Sequence, residues 1–303
     1  MRISVIMSVY NEPLNFIDEA IISVLNQTYT NFNFIIVNDN PMRLELDDYL
    51  KCWLKRDNRI HIIKNKMNLG LALSMNKAAS YLDSDYLIRM DADDICYPSR
   101  FDTIISVIVE NNYDLVCSSF EYIDENGLCI GKSKKQYSDE QIKAFMKYDN
   151  IIHHPTTIFK TSIFNEVGQY NDLPCAQDYD LWYRFISYNA KVHMDENVLL
   201  QYRIQPNSTT SNKRFMQSVV MDYIQKINKE NSSFDKEKFN LYYQQNKQKY
   251  EKKFQLYNEK YEYFLKYKKR IMSFFCSLIF SPYNRKKFIN LIKYKIYQKS
   301  NKI

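Results

Sequence analysis

The chain has 303 residues, 45% of them hydrophobic and 25% charged. That is a globular composition, suited to one large α/β domain with an appendage and not to a disordered chain. Only four glycines occur, Gly70, Gly127, Gly131 and Gly168, which excludes a G-x-G-x-x-G dinucleotide loop and a Walker phosphate loop.

The net charge of +7 conceals an acidic body and a basic tail. Residues 213–303 hold 22 Lys+Arg against 7 Asp+Glu, whereas residues 1–212 hold 20 against 28. Such segregation points the tail toward something anionic. The six cysteines (Cys52, Cys96, Cys117, Cys129, Cys175 and Cys276) are scattered, without a C-x-x-C. Reduced thiols of a cytosolic protein fit that spacing better than a disulfide framework or a zinc site. The opening MRISVIMSVYNE reads as a buried strand, and no apolar run reaches the roughly 20 residues that span a bilayer.

The first 120 residues alternate strand and helix patterns. Ile3–Val9 is strand-like. Asn11 with Pro13 signals a helix start, and Leu14, Ile17, Ile21, Val24 and Leu25 follow at helical spacing. Phe34–Val37 and Ile60–Ile63 are short apolar runs expected of strands covered on both faces. Asn68-Leu69-Gly70 opens a second helix, Tyr86–Ile88 is a fourth strand and Leu115–Cys117 a fifth. Repeated βαβ units imply an α/β, Rossmann-like, mainly parallel sheet with helices on both faces. Beyond 120, Phe120–Ile123 and Leu128–Ile130 flank a turn ending at Gly127 and predict a hairpin. Thr156–Phe159 and Val198–Ile204 read as extended, and Leu181–Ser187 as helical. The polar stretch 206–212 closes this unit. The expected division is therefore a domain over 1–212 and a helical, basic C-terminal extension over 213–303.

Three carboxylate clusters could carry chemistry. In Tyr86–Asp94 an apolar strand runs into Asp91, Asp93 and Asp94, at the strand end where open parallel sheets form their ligand crevice. Clustered carboxylates favour a hard divalent counter-ion, Mg²⁺ or Mn²⁺, although an isolated D-x-D is more often a solvated turn. Asp39 ends a second strand, and Ser8, Tyr10 and Glu12 lie where the first one ends. An Asx turn is the plainer explanation for Asp39 alone. Asp178 and Asp180 precede a helix, where one of them can serve as a cap. Adjacent residues on a strand point to opposite faces, so His153 and His154 do not readily share one metal ion. A structural or acceptor-side role suits His154 better. Trp53 and Trp182 read as packing residues.

Together these segments resemble family-2 glycosyltransferases, inverting enzymes of the A-type fold found in bacterial capsule, O-antigen and exopolysaccharide assembly. The matching stretches are Ser4–Glu12, Ala20–Tyr29, Phe34–Asn40, Asn68–Ala78, Tyr86–Phe101 and Gln177–Arg184. They occur in family order over about 200 residues. The resemblance implies that Ser8, Tyr10, Glu12, Asp39 and Asp91 hold the nucleotide of a nucleotide diphosphate sugar, UDP being the commonest carrier. It places Asp93, with Asp91, on a Mn²⁺ or Mg²⁺ ion. It makes Asp178 the base and leaves Gln177, His154 and Asp180 on the acceptor side. Gln177 stands where the family has Glu, and Asn38 where it has a first Asp. The Q-x-x-R-W motif of processive synthases is absent, so one sugar per encounter to a saccharide or lipid-linked acceptor is expected.

The tail lies outside the resemblance. Phe239, Tyr243, Tyr250, Phe254, Tyr257, Tyr261 and Phe264 form an aromatic stripe, followed by apolar Ile271–Phe280 and basic Arg285–Lys302. Three readings stand for it: peripheral contact with an anionic membrane at the inner face of the plasma membrane, a cap on the catalytic unit, or a homodimer contact. A sugar nucleotidyltransferase, or a nucleic-acid binder using the Lys/Tyr tail, are the alternatives from other classes. Carboxylates would repel phosphate in the second, so no nucleic acid is expected.

Overall fold

The computed structural model describes residues 1–134, 136–205, 214–230 and 232–266. Two compact units are formed. The first comprises residues 1–142, 152–172 and 181–206, and the second comprises 143–151, 173–180 and 207–303.

A sheet of nine strands carries the first unit, in the order β3-β2-β1-β4-β8-β6-β9-β5, with β7 paired to β6. The strands are β1 (Ile3–Val9), β2 (Asn33–Asn38), β3 (Ile60–Lys64), β4 (Tyr86–Arg89), β5 (Ile95–Cys96), β6 (Leu115–Ile123), β7 (Cys129–Ser133), β8 (Ile158–Lys160) and β9 (Val192–Arg203). β1, β2, β3 and β4 pair in parallel. β8 runs antiparallel to both β4 and β6, whereas β6 and β9 are parallel. The chain winds from β1 outward to β3, then returns to place β4 on the other side of β1. The order thus reverses between β1 and β4, and a ligand crevice belongs at their carboxyl ends.

Helices cover both faces. Val5, Met7 and Val9 of β1 face the apolar sides of α1 (Leu14–Leu25), α2 (Leu44–Arg56) and α4 (Arg100–Asn111), in one core that includes Ile17, Ile21, Leu50, Trp53, Phe101 and Ile104. Phe32 meets Phe101 edge-on at 5.3 Å. α3 (Leu71–Ala79) packs on β1 and β2. Side chains alternate along a strand, so Ile6 and Arg89, register partners in β1 and β4, stand on the face opposite Val5 and Ile88.

Several elements differ from the sequence-based expectation. α2 carries six charged residues in LELDDYLKCWLKR, and its apolar stripe is limited to Leu46, Leu50 and Trp53. β6 is one strand of nine residues, because Ser118 and Ser119 are buried within it. A 3₁₀ turn at His154–Thr156 precedes β8. The helix expected over Leu181–Ser187 begins earlier, as α7 (Gln177–Ser187), so Asp178 and Asp180 both lie in its first turn. Two further helices, α5 (Asp139–Met146) and α6 (Thr161–Glu166), complete the body. Trp53 and Trp182 are buried, as expected of packing residues. The five described cysteines are free thiols.

In the second unit, α8 (Arg214–Lys229) and α9 (Lys236–Lys266) pack together. The first part of the aromatic stripe is consumed there. Tyr223 of α8 meets Phe239 at 5.3 Å, and Phe215 lies 6.5 Å from Tyr243 and 6.3 Å from Tyr250. Gln225 of α8 donates to Tyr148 O and to the Tyr179 hydroxyl, both at 3.1 Å. Ile271–Phe280 and Arg285–Lys302 lie outside the described residues, and no described helix is long and apolar enough to cross a membrane.

One clamp ties the end of β2 to the start of α3. Asp39 accepts from Asn65 Nδ2 at 2.7 Å, Leu69 N at 2.8 Å and Gly70 N at 2.9 Å. Gly70 has φ +80° and ψ 166°, a region almost reserved for glycine. A Cβ there would meet nothing within 4 Å, so the cost of a side chain is purely a backbone cost. Gly70→Ala is expected to lower unfolding stability by about 1–2 kcal/mol. The check is the urea midpoint at constant slope, and an unmoved midpoint would contradict the assignment.

Candidate functional site

The sequence-predicted residues of β1, β2 and β4 do reach the same ends of the sheet. Ser8 is half-buried beside Val37, its register partner. Tyr10 is 41% exposed, leaving a ring free to meet a flat ligand. Asn40 stitches β1 to β2: its Nδ2 donates to Asn11 Oδ1 at 2.8 Å and Tyr10 O at 3.3 Å. Asp39 is buried, with three donors already on its carboxylate. It therefore organises the Asn65–Gly70 loop in addition to any contact it makes with a ligand.

Glu12, Asp91, Asp93 and Asp94 crowd the switch point. Burial raises the Glu12 carboxyl, against a 2.7 Å hydrogen bond from Tyr10 N–H, and the charge of Asp91 raises it further. Asp93 is pushed up to about 7, first by burial and then by the charges of Asp91 and Glu12. Asp94 is fully buried and raised well above the carboxylate range by that burial, with Asp93 and Asp91 adding to it. Its Oδ1 accepts from Arg203 N at 2.9 Å, while its Oδ2 has no hydrogen-bond partner among the described residues.

Buried arginines hold this loop in shape. Arg203 donates through Nε to Asp93 O at 2.9 Å and through Nη1 to Asp124 O and Glu125 O at 3.1 and 3.2 Å. Its Nη2 pairs with Glu19, and its guanidinium lies 4.2 Å from the Phe16 ring centre. Gln205 Nε2 donates to Asp93 Oδ2 at 2.7 Å. Arg100 is completely buried, and its Nη2 bridges Arg89 O at 3.0 Å and Pro155 O at 2.6 Å. Arg89 pairs with Asp91. Sequence reasoning placed Asp94 only within the carboxylate cluster and assigned no role to Arg89, Arg100, Arg203 or Gln205. The available signal was an arginine inside each of two apolar strands, since a charge there is costly unless it is paired.

Among the described residues, no group of three or more His, Cys, Asp or Glu side chains is arranged to hold a metal ion. The oxygen donors nonetheless fit one that brings part of its own shell. Carboxylates that push one another toward protonation gain from a hard cation, and Mg²⁺ is commonly held by one or two carboxylates together with substrate phosphates. Asp93 is the residue that would hold it, with Asp91 beside it.

The acceptor-side candidates divide. His154 is buried, with its Nε2 and the Tyr170 hydroxyl 2.7 Å apart. Burial, with the nearby Arg89 charge, drives its pKa well below the usual histidine range, so the ring is neutral. His153 goes elsewhere, packing on Phe120 at 4.2 Å and Tyr202 at 5.0 Å, so the pair shares no ligand. Gln177, Asp178 and Asp180 belong to the second unit. There Asn150 Nδ2 donates to Asp178 Oδ2 at 2.8 Å, and Asp180 is buried. Ala176, just before α7, has φ 54°. This left-handed conformation costs a non-glycine residue about 1–2 kcal/mol, and such strain gathers at functional sites. It sets the direction in which the Gln177–Asp180 turn leaves the preceding chain.

Comparison with known proteins gives the family and agrees with the fold. The family model of glycosyl transferase family 2 matches residues 4–168. An uncharacterized glycosyltransferase of Methanocaldococcus jannaschii is 35% identical over 223 residues, 73% of this chain and 77% of the relative. The O-antigen biosynthesis glycosyltransferase WbnJ of Escherichia coli is 31% identical over 68% of this chain and 81% of its own. A UDP-Gal:alpha-D-GlcNAc-diphosphoundecaprenol beta-1,3-galactosyltransferase of Escherichia coli is 28% identical, covering 67% and 74%. Among solved structures, S. aureus TarS 1–349 in complex with UDP-GlcNAc superposes with a TM-score of 0.58, at 16% identity over 80% of this chain and 70% of that one.

Proposed function

Because this chain belongs to glycosyl transferase family 2, we propose that it moves one sugar from a nucleotide diphosphate sugar to a hydroxyl group of a saccharide or lipid-linked acceptor in surface polysaccharide assembly. The observation that carries this reading is the meeting of Ser8, Tyr10, Glu12, Asp91 and Asp93 at the carboxyl ends of β1 and β4. UDP as the carrier is supported by the TarS complex and by the galactosyltransferase relative. That relative also supports a lipid-linked acceptor, and WbnJ supports O-antigen assembly.

In the proposed reaction, Ser8, Tyr10, Glu12, Asp39 and Asp91 bind the nucleoside. The acceptor oxygen attacks the anomeric carbon as the carbon–oxygen bond to the diphosphate breaks. The acceptor proton passes to Asp178 as general base, with Asn150 fixing one of its carboxylate oxygens. A single displacement inverts the anomeric centre. Asp93 would hold a Mn²⁺ or Mg²⁺ ion, with Asp91 beside it, and the ion would supply Lewis-acid stabilisation of the charge on the departing diphosphate. Gln177, His154 and Asp180 stand on the acceptor side in this scheme. Neutral, buried His154 supports the shape of that region and does not exchange protons there.

The basic tail is proposed to bring the enzyme to an anionic membrane surface from the cytoplasm. The charge excess of residues 213–303 supports it. Burial of Phe239 and Tyr250 within the α8–α9 pair leaves lysines, more than aromatics, to make that contact.

Three outcomes are expected. Asp178→Asn abolishes transfer, by at least 100-fold in kcat, and leaves calorimetric UDP affinity within twofold; near-wild-type turnover would remove Asp178 as the base. Asp93→Ala makes UDP affinity independent of Mn²⁺, whereas an intact Mn²⁺ dependence would remove Asp93 from the metal. Full-length protein floats with vesicles containing anionic lipid and not with neutral ones, and equal flotation would end the membrane role.

A further inference from the structure

Arg89 is a buried cation among these carboxylates. It is the last residue of β4, after Tyr86, Leu87 and Ile88. Its backbone is fixed from both sides: its N–H donates to Thr157 O at 3.0 Å, and its carbonyl accepts from Arg100 Nη2 at 3.0 Å. Among the described residues the guanidinium has one charged partner, Asp91, through Nη2. Its Nε and Nη1 are buried and find no acceptor among those residues. A guanidinium offers five N–H donors, and an apolar side chain in this place would serve packing better. The pair is also lopsided. The Arg89 side chain is 1% exposed and that of Asp91 is 28% exposed, so Arg89 grips the carboxylate from the protein side and leaves its other edge toward solvent. Asp93, two residues on, accepts instead from the neutral amide of Gln205.

We propose that Arg89 is a positioning residue that divides the labour of the two aspartates: by holding Asp91 from behind it aims that carboxylate at the hydroxyl groups of the bound nucleotide and withholds it from the metal, which is left to Asp93. This deepens the nucleotide-sugar reading and rests on it. Arginine suits the task because its planar fork fixes the orientation of a carboxylate, whereas lysine acts as a point charge.

The test uses the full chain, with two ligands titrated separately: UDP by calorimetry, and Mn²⁺ alone by electron paramagnetic resonance. Arg89→Met should weaken UDP binding at least tenfold and strengthen binding of Mn²⁺ alone several-fold, because the released Asp91 can join Asp93 on the ion. Asp91→Asn should weaken UDP binding comparably. The double variant should be no worse than Asp91→Asn within twofold, since both changes remove one unit of function. Arg89→Lys should fall between wild type and Arg89→Met, and its two titrations serve in place of those of Arg89→Met if circular dichroism shows the latter unfolded. A merely structural arginine would lose UDP and Mn²⁺ together on substitution, and that result overturns the proposal. Unchanged UDP affinity, or penalties that multiply in the double variant, overturns it as well. A wild-type protein that binds neither UDP nor Mn²⁺ refutes the nucleotide-sugar reading itself, and this inference with it.

Discussion

Electrostatic crowding at the point where the sheet reverses direction governs this protein. Glu12, Asp91, Asp93 and Asp94 gather where β1 and β4 end, and three of them are forced upward in pKa by burial and by one another. A fold selected for stability alone would not collect carboxylates in a buried loop. Arg89, Arg100 and Arg203 offset the crowding from three directions, and they do so largely through backbone carbonyls. The carboxylates therefore keep free edges. The scaffold is stiff and neutralised from behind, while the front is left electrically unsatisfied. The metal and diphosphate of the proposed reaction suit such a front.

The framework was legible in the sequence where physical signals were local. β1, β2, β3 and β4 announce themselves as apolar runs because both of their faces are covered. Pro13 and Gly70 mark helix entries by their fixed or freed φ. The carboxylates at strand ends could be read from polarity rising abruptly after Val9, Val37 and Ile88. α2 was invisible because only three of its side chains are buried against the core, a stripe too narrow to set a period. The early start of α7 was hidden because Gln177, Asp178 and Asp180 are poor signals of helix, although they suit its first turn.

The arginines were less legible for a different reason. A charged residue in an apolar strand shows that something pairs with it, but its partner is set by tertiary structure. Arg203 reaches carbonyls of Asp93, Asp124 and Glu125 and the carboxylate of Glu19, residues as far as 184 positions away. No spacing rule connects them. Similarly, Asp39 reads from sequence as either an Asx turn or a ligand contact. The structure adds a third service, the clamp on Leu69 and Gly70.

The second unit draws on three separate stretches of chain, and Gln225 of α8 joins two of them by bonding Tyr148 O and the Tyr179 hydroxyl. Tyr179 is the immediate neighbour of Asp178. A chain cut after residue 212 would strip that amide away and leave the turn bearing Asp178 without part of its scaffolding. The C-terminal region is thus not a detachable tag, and exchanging it for that of a relative would disturb the packing around Tyr179.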